Sequence, residues 1–563
     1  MTATSASSQT QSSYPVDPLK LYWLVAGATG LWLAWESLFF GLVTYSFYAD
    51  YWEHTALLTE WLRDIGNPQN PHVADPSSSP RYMPLFLVLT LFGQTLSLDS
   101  VQLMGISSIV NYILIVIGIR LFFFDYFRDS TFRQAAPLIA FVVLFFGWGV
   151  SWVWSNLYQL RSFFYVAGYP SSFVFGLGLI GFWLTLRILR EETGEIAGAV
   201  AMLLLAALMF LSHPLTGAFA IGSSGLLALV WPGAQLRRRL LVMAALLAGA
   251  LLAELWPWFS VWEVVLDRSG NDETSWMHTD GESGVLDRIR SGVWLHIFYR
   301  PKFVLLILGF GLPAVFAWLA MTKSAVSERR HWFIVLGGLA MLIPYFAHIV
   351  VSVPLAHRFL LFAIFYFHMA AVALLLKLLE VRQAQLNSGG LSPLVRWTSV
   401  AAGIWVIAAV VFNISQLVME YNGMHLRVKT LTYTNKFENI PEGGNVVDLY
   451  QDLTAGVGPY DVVMATGEIA WPLPTVTGKA VSIYHQNPLL PDQWQRAEAV
   501  ARFFAEGASD SERAAILAQY DVKFVLIRED STVPDMLEWL PSVAEETARR
   551  GSYRMYRLKT AGS

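Results

Sequence analysis

The feature that most constrains this chain is a series of long apolar runs, each about as long as a helix must be to cross a bilayer. About 20 consecutive apolar residues span the hydrocarbon core. Only 14% of the 563 residues are charged and 55% are hydrophobic, whereas soluble proteins carry about 25% charged residues. The sequence therefore predicts a mainly α-helical, polytopic transmembrane bundle. Its eleven predicted spans lie at about 21–47, 101–124, 135–154, 171–188, 196–212, 215–231, 240–262, 303–322, 332–351, 359–378 and 397–417.

A further apolar segment, residues 83–98 (MPLFLVLTLFGQTLSL), is ambiguous because it is short and contains Gly93 and Gln94. It is either a span or an interfacial, re-entrant piece. Basic residues favour cytoplasmic loops. If this segment does not cross and the N-terminus is cytoplasmic, all the short basic loops fall inside. We therefore predict a cell (inner) membrane protein with eleven spans and a C-terminus on the outer side. The basic residues behind this choice are Arg128, Arg133, Arg187, Arg190, Arg237, Arg238, Arg239, Lys323, Arg329, Arg330, Lys377, Arg382 and Arg396.

Three regions follow from this topology. Residues 1–20 are polar and predicted to form a disordered cytoplasmic tail, and residues 21–420 form the transmembrane domain with outer loops at 48–100 and 263–302. Residues 421–563 alternate β-like and helical patterns, which predicts an extracytoplasmic (periplasmic) α/β domain. Its predicted strands are NVVDLY (445–450), YDVVMA (460–465), KFVLI (523–527) and SYRMYRL (552–558), and its predicted helices are DQWQRAEAVARFFAEG (492–507) and DSERAAILAQY (510–520).

The stretch YADYWEH (48–54) follows the first predicted span and holds three titratable residues. In a helix, Asp50, Glu53 and His54 fall at i, i+3 and i+4 on one face. One interpretation is a helix start, with acids at the positive end of the helix dipole and an aromatic belt around them. The other is a reaction centre in which Asp50 is a general base, tuned by Glu53 and His54. Apolar residues extend the same stripe and predict an amphipathic helix along the membrane surface: Leu57, Leu58 and Trp61.

Several basic residues lie on the predicted outer side, where the positive-inside rule does not require them. A charge at the membrane border is costly unless it meets water, a partner or an anionic ligand. A guanidinium offers two parallel donors to a phosphate group. We therefore interpret these residues as candidates for binding a lipid phosphate, although Arg81 could also be a snorkelling anchor and His213 an incidental turn residue. The set is Arg81, Arg161, His213, Lys302, His357 and Arg358.

Several classes of function are excluded or unsupported. The net charge of −4 and the pI of about 6.3 give no sign of a nucleic-acid partner. The absence of cysteine excludes disulfides, thiolate metal sites and cysteine nucleophiles. No nucleotide-binding glycine motif, HExxH motif or nucleophile elbow is found in a supporting context.

The layout resembles the GT-C superfamily of integral-membrane glycosyltransferases, which use sugar donors linked to polyprenyl phosphate. The likeness rests on an acidic first outer loop (YADYWEH), an aromatic–proline–apolar segment within that loop (RYMPLFLVLTLFG), and the tail pattern PLPTVTGK … ILAQYDVKFVLI. It implies inverting transfer of a sugar to a glycan, lipid or protein acceptor, with Asp50 as the base. Cations at the bilayer edge would stabilise the phosphate leaving group: Arg358, Arg81, His213, His357, Lys302 and Arg161. No cofactor is certain, and a divalent metal ion held by Asp50, Glu53 and His54 stays open.

Other functions compete with this interpretation. A transporter or flippase for a lipid-linked glycan needs polar residues deep within its spans, and the main cases here are Glu36, Asn111 and Glu254. A polysaccharide polymerase or ligase would use similar carriers and similar chemistry. A non-catalytic scaffold that recruits a partner through its outer domain is the third alternative.

Overall fold

The computed structural model describes residues 17–40, 50–148, 158–266, 301–347, 353, 356–425, 445–483, 487 and 489–559. Helices account for almost all regular structure up to residue 425. In chain order they are α1 (Pro18–Trp35), α2 (Tyr51–Arg63), α3 (Pro84–Leu96), α4 (Ser100–Tyr126), α5 (Ala136–Phe146), α6 (Leu160–Val166), α7 (Pro170–Leu189), α8 (Glu195–Ser212), α9 (Pro214–Val230), α10 (Leu236–Leu252), α11 (Val261–Leu266), α12 (Pro301–Ser327), α13 (Trp332–Ala347), α14 (Ala356–Asn387) and α15 (Pro393–His425).

Each of the eleven apolar runs overlaps one of these helices within the described residues, and the number of spans stays a prediction. Within the described residues, six helical segments are long and apolar enough to cross a membrane. Several of these helices carry large apolar side chains on their exposed faces, as expected where a helix faces lipid; Ile196, Leu204, Ile404, Ile407 and Val411 are examples. The six segments are Ser100–Tyr126, Pro170–Leu189, Glu195–Ser212, Arg329–Ala347, Arg358–Asn387 and Pro393–Met419.

Helices α4 and α7 pack closely because glycine removes the side chain at their crossing. A Cβ atom on Gly118 would come within 2.7 Å of the Leu179 Cβ, and one on Gly176 would come within 2.9 Å of the Leu114 Cβ. Small residues allow membrane helices to approach in this way. The α4–α7 pair belongs to a core of buried aromatic and aliphatic side chains that also takes in α5, α9 and α14.

The two helices of the predicted outer loop 48–100 form at its two ends. Helix α2 contains Glu53 and His54, as the sequence pattern predicts, but it is buried on nearly all sides from Tyr51 to Leu58. Other parts of the chain therefore cover the second face of α2, which the amphipathic pattern does not predict, and its position along the membrane surface stays a prediction. Helix α3 has 13 residues and is about 20 Å long at 1.5 Å per residue, which is less than the roughly 30 Å of a hydrocarbon core.

The C-terminal domain contains one mixed sheet of five strands in the order β2-β1-β3-β5-β4. Strands β2, β1 and β3 are parallel neighbours, whereas β5 pairs antiparallel with both β3 and β4. The strands are β1 (Val462–Met464), β2 (Lys479–Ala480), β3 (Val522–Arg528), β4 (Ala544–Arg550) and β5 (Tyr553–Leu558). The helices around them are α16 (Val446–Leu453), α17 (Gly467–Ala470), α18 (Leu473–Val476), α19 (Gln493–Phe503), α20 (Asp510–Gln519) and α21 (Pro534–Val543).

Most elements of this domain agree with the sequence prediction, and one does not. The stretch NVVDLY was predicted as a strand, but it forms the start of α16. Asn445 caps this helix by accepting a hydrogen bond from the backbone N–H of Asp448, 2.8 Å away. Apolar residues at helical spacing fill its buried face: Val446, Leu449, Tyr450 and Leu453. The sequence prediction gave too much weight to the two valines and too little to the cap. It also missed β2 and β4.

The segment between α2 and α3 is joined to the edge of this sheet. Val73 forms an isolated parallel bridge with Ala480 of β2, and the Ala480 N–H donates to the His72 carbonyl oxygen over 2.8 Å. The C-terminal domain therefore contacts the same part of the chain that carries the candidate residues Asp50, Glu53 and Arg81.

Candidate active site

Asp50 lies at the N-terminus of α2, where it is the N-cap residue, half-buried and in a helical backbone conformation. An aspartate at this position usually accepts a hydrogen bond from the second or third N–H of the helix. The Asp50 side chain makes no such capping bond. Its carboxylate is therefore not used to start α2, which weakens the interpretation that it serves only as a helix start.

Glu53 and Arg81 form an ion pair between the first turn of α2 and the segment before α3. The Glu53 side chain is almost fully buried, whereas 26% of the Arg81 side chain is exposed. A buried carboxylate needs such a partner, because an isolated charge in a low-dielectric environment is costly. Arg81 is thus held at a defined place by Glu53, and a simple snorkelling role does not account for this contact.

His54 is buried beside Asp50 and is neutral near pH 7. Its ring lies 5.0 Å from the ring of Tyr169 and 5.2 Å from that of Phe86, measured between centroids. Burial lowers the pKa of His54 to about 4, although the negative charge of Asp50 opposes this shift. His54 therefore adds no positive charge to the site at physiological pH.

His213 joins α8 to α9 and caps the second of these helices. The Thr216 backbone N–H donates to the His213 Nδ1 over 3.2 Å. Burial, together with the positive charge of Arg358, lowers the pKa of His213 to about 3. Since Nδ1 accepts this bond and the ring is neutral, its single proton must be on Nε2. His213 is therefore a fixed, uncharged N–H donor.

Arg358 stands near the start of α14 and is half-buried. Its charge interacts with that of Asp50 and with His213. Within the described part of the chain, no acidic side chain forms an ion pair with Arg358. A half-buried guanidinium of this kind is suited to an anionic ligand.

These residues come from separate elements and form one electrostatic cluster. The charge of Asp50 acts on His54, Arg81, His213 and Arg358 alike. Because Glu53 compensates Arg81, Arg358 is the cation of the cluster that forms no ion pair with a described acidic side chain. The cluster thus combines a candidate base, a cation and a neutral hydrogen-bond donor.

Tyr169 belongs to this cluster and was missed by the sequence reasoning. It precedes α7, and burial together with the charge of Asp50 raises its pKa. The signal in the sequence was weak, because one tyrosine before a membrane helix is indistinguishable from an aromatic belt residue.

A narrow pocket adjoins the N-terminus of α2. It is lined by Glu36, Tyr51, Ser108, Tyr165 and Tyr169, together with five other residues that include no basic side chain. Glu36 begins a π-helical turn (Glu36–Phe40) at the end of α1, and such turns often occur at functional sites. The absence of a cation from its lining makes this pocket unsuited to a phosphate group.

Three of the predicted cations are not joined to the cluster by the described contacts. Arg161 is half-buried near the start of α6, and its place in the site stays a prediction. Lys302 and His357 lie in α12 and α14, but their side chains fall outside the described residues, as does most of the predicted outer loop 263–302.

The residues considered for a metal ion do not make a metal-binding set. Among the described residues, no three side chains of histidine, aspartate or glutamate converge in a suitable group. Glu53 is engaged with Arg81 instead. Asp50, Glu53 and His54 therefore do not fit a shared divalent cation in this arrangement.

Comparison with known proteins places the chain by its fold. No protein-family model and no curated protein sequence matches it. Among solved structures, the oligosaccharyltransferase of Archaeoglobus fulgidus in the apo form has a TM-score of 0.57 at 12% identity, over 99% of this chain and 76% of that one.

Two further glycosyltransferases are similar over nearly the whole chain. ArnT from Cupriavidus metallidurans bound to undecaprenyl phosphate has a TM-score of 0.53 at 13% identity, over 96% of this chain and 99% of that one. The mycobacterial arabinofuranosyltransferase AftD has a TM-score of 0.53 at 14% identity, over 96% of this chain and 41% of that one. This chain therefore has the fold of these glycosyltransferases, and six of its described helical segments are long and apolar enough to cross a membrane, as its sequence predicts.

Proposed function

We propose that this protein is a membrane glycosyltransferase that transfers a sugar from a polyprenyl-phosphate donor to a glycan, lipid or protein acceptor. The observation that carries the proposal is the cluster of Asp50 with Arg358 and the neutral His213. A lipid-linked donor keeps its phosphate at the membrane boundary, so the base and the phosphate-binding groups must meet there. The fold shared with ArnT, whose structure was solved with undecaprenyl phosphate, supports this donor class.

In the proposed reaction, Asp50 accepts the proton of the acceptor hydroxyl group. The hydroxyl oxygen attacks the anomeric carbon of the donor sugar, and the bond between this carbon and the phosphate oxygen breaks. The electron pair of that bond stays with the lipid phosphate. A single displacement of this kind inverts the configuration at the anomeric carbon, and it needs a base on one side of the sugar and an anion-stabilising group on the other.

Arg358 and His213 are the proposed groups that stabilise the leaving phosphate. The guanidinium of Arg358 supplies positive charge, and the Nε2–H of His213 supplies a hydrogen bond without needing to be charged. Arg81 is a third donor whose position is set by Glu53. Donors that are fixed before the reaction stabilise developing charge without a reorganisation cost.

The proposed topology puts this site on the outer face of the membrane. We propose eleven spans, a cytoplasmic N-terminus and an extracytoplasmic C-terminal domain, as the basic loops indicate. In this arrangement the N-terminus of α2, the α8–α9 turn and the start of α14 all lie on the same side. The electrostatic interactions among Asp50, His213 and Arg358 support this arrangement, since they require the three residues to lie on the same side.

The experiment that tests this function is mass spectrometry of lipids retained by the gently purified protein. The wild type is compared with Arg358→Ala and with Arg382→Ala, an exposed arginine near the other end of α14. We expect a polyprenyl phosphate or its sugar ester in the wild type and in Arg382→Ala, and depletion in Arg358→Ala. Retention of ordinary phospholipids alone, equal in all three samples, would contradict the proposal.

A transporter or a polysaccharide polymerase could retain the same lipid, so transfer must be measured as well. Purified wild-type protein in lipid vesicles should convert the retained donor when an acceptor extract is added, and Asp50→Asn should not. Movement of intact donor across the vesicle membrane without loss of its sugar would instead support the flippase alternative.

A further inference from the structure

We propose that the C-terminal domain sets the position of the catalytic helix α2 through the buried ion pair between Glu60 and Lys479. In this proposal Glu60 and Lys479 are positioning residues, which act through Glu53, Arg81 and Asp50. The catalytic role of α2 rests on the proposed function. The coupling between the domain and α2 does not, because it can be measured without any reaction.

The pair is completely enclosed between two distant parts of the chain. The Lys479 Nζ lies 2.8 Å from the Glu60 Oε2, and the two side chains are 0% and 1% exposed. The ammonium group also donates to the Asn70 carbonyl oxygen over 2.5 Å. Arg63, on the same helix, also lies 3.6 Å from the Glu60 Oε2. Burying the Lys479 charge without a carboxylate would be costly, so the Glu60–Lys479 pair forms while the domain is docked on α2.

Glu60 and Glu53 are related by the helical repeat. They are seven residues apart on α2, and residues two turns apart lie on nearly the same face. This face therefore makes two buried ion pairs, one with Arg81 and one with Lys479. The first belongs to the proposed site, and the second fixes the same helix to the C-terminal domain.

Further contacts form a continuous seam between α2 and the domain. The hydroxyl oxygens of Thr55 and Thr475 are 2.7 Å apart, and the Thr59 hydroxyl donates to the Thr475 carbonyl oxygen over 2.8 Å. The Glu60 carboxylate also accepts from the Gln69 backbone N–H over 3.1 Å, which joins the segment after α2 to the same ion pair. Helix α2 is thus fixed to the domain along the turns that follow Glu53.

The domain also holds the segment that leads to Arg81. The Ala480 N–H donates to the His72 carbonyl oxygen over 2.8 Å, and the Asn487 side chain donates to the Ser78 carbonyl oxygen over 2.8 Å. Both partners of the Glu53–Arg81 pair are therefore carried by segments that the domain contacts. If the domain shifts, both partners lose their support together.

The variant Lys479→Met tests this coupling, with Lys523→Met as the matched control. Lys523 is an exposed lysine of the same domain, and its ion-pair partner among the described residues is Asp521. Misplacement of reacting groups by about 1 Å can cost on the order of a hundredfold in rate. We expect Lys479→Met to lower the transfer rate by about tenfold to a hundredfold, while donor binding, which depends on Arg358, changes little. Full activity in folded Lys479→Met would overturn the proposal.

A disulfide rescue separates positioning from general stability. The chain has no cysteine, and the hydroxyl oxygens of Thr55 and Thr475 are 2.7 Å apart. We therefore choose Thr55→Cys and Thr475→Cys as the pair to be cross-linked by a disulfide. In the Lys479→Met background, the oxidised cross-link should restore activity and reduction should remove it again. When Lys479 is kept, the protein with the two cysteines should be active whether the disulfide is formed or reduced. A cross-link that forms and restores nothing would contradict a positioning role.

A structural measurement keeps the proposal testable if transfer cannot be assayed or if Lys479→Met does not fold. Glu60→Gln keeps the size of the side chain and leaves Lys479 able to donate, so it is expected to fold. Hydrogen–deuterium exchange over residues 50–81 should be faster in Glu60→Gln and in Lys479→Met than in the wild type. Unchanged exchange in a folded variant refutes the coupling, whereas faster exchange in a protein that transfers no sugar refutes only the proposed function.

Discussion

Glu53 in the first turn of α2 and Arg81 before α3 form an ion pair, although 28 residues separate them in the chain. The pair brings the residues just before α3 next to the first turn of α2, close to Asp50. The spacing of Glu53 to Asp50 and His54 suggested that it tunes the base or binds a metal ion. In the structure, its carboxylate pairs with Arg81 instead.

Removal of Arg81 should destabilise the protein more than removal of both partners. Arg81→Gln leaves the buried Glu53 carboxylate without its cation, and breaking a buried pair costs about 3–5 kcal/mol. Because Arg81 is 26% exposed, we expect the lower part of this range. The double variant Glu53→Gln/Arg81→Gln should recover part of the loss. Thermal unfolding of Arg81→Gln, Glu53→Gln and the double variant in detergent measures the coupling, and strictly additive effects would show that the pair contributes nothing.

Asp50→Asn should abolish sugar transfer while leaving the fold intact. The substitution removes basicity at nearly constant volume, and Asp50 makes no capping bond whose loss would weaken α2. Asp521→Asn, an exposed aspartate of the C-terminal domain, is the control. Transfer assays and thermal unfolding should show an inactive, stable Asp50→Asn and an unchanged control. An active Asp50→Asn enzyme would remove Asp50 from the role of base.

The bundle could be predicted from the sequence because its signal is local. Each predicted membrane helix corresponds to one apolar run, which can be found without knowing which distant residues it contacts. The same reasoning failed for α16, where two valines suggested a strand although Asn445 and the i, i+3, i+4 spacing favour a helix. It also failed for the burial of α2, because the covering residues, such as Thr475, come more than 400 positions later.

The candidate site was predicted only as a set of residue types. The sequence indicated Asp50 and several cations on one side of the membrane. Charges at a membrane border are costly, so their presence there indicates a function. It could not indicate which groups meet. The Glu53–Arg81 and Glu60–Lys479 pairs join residues whose proximity depends on the whole fold, and the proton position on His213 depends on a helix cap.

The proposed topology predicts where a single cysteine can be labelled. The chain has no cysteine of its own, so Gln235→Cys, in the basic turn before α10, gives one reactive site. A membrane-impermeant thiol reagent should reach it only after the membrane is opened, whereas Glu506→Cys in the C-terminal domain should react with intact cells. Labelling of Gln235→Cys from outside would reverse the orientation of the whole bundle.

The protein should lose stability as the pH falls below the ordinary pKa of histidine. His54 has a pKa of about 4 in the folded protein, against 6.5 for a free side chain. A depressed pKa contributes stability that is fully present above about pH 6.5 and is lost as the pH falls through about 4. The loss is at most about 1.4 kcal/mol per pH unit for this residue.

The pH effect can be assigned to His54 by substitution. The titratable groups near His54 are Asp50, Tyr169 and His213, and His213 titrates in the same direction. His54→Gln should therefore flatten the decline in unfolding temperature between pH 6.5 and 4 only in part. An identical decline in His54→Gln and wild type would mean that other groups cause the acid sensitivity.

Two substitutions of His213 should separate its two functions. Asparagine is a good helix N-cap, so His213→Asn should keep α9 and the protein about as stable as the wild type. Alanine cannot cap, and His213→Ala should cost about 1 kcal/mol of unfolding free energy. Neither asparagine nor alanine provides the Nε2–H donor of the His213 imidazole ring. Both variants should therefore lose transfer activity. Loss of one donor to developing negative charge typically costs about 100- to 1000-fold in kcat. A His213→Asn enzyme with wild-type kcat would show that this histidine is only a cap, and a His213→Asn protein as unstable as His213→Ala would show that the cap itself requires imidazole.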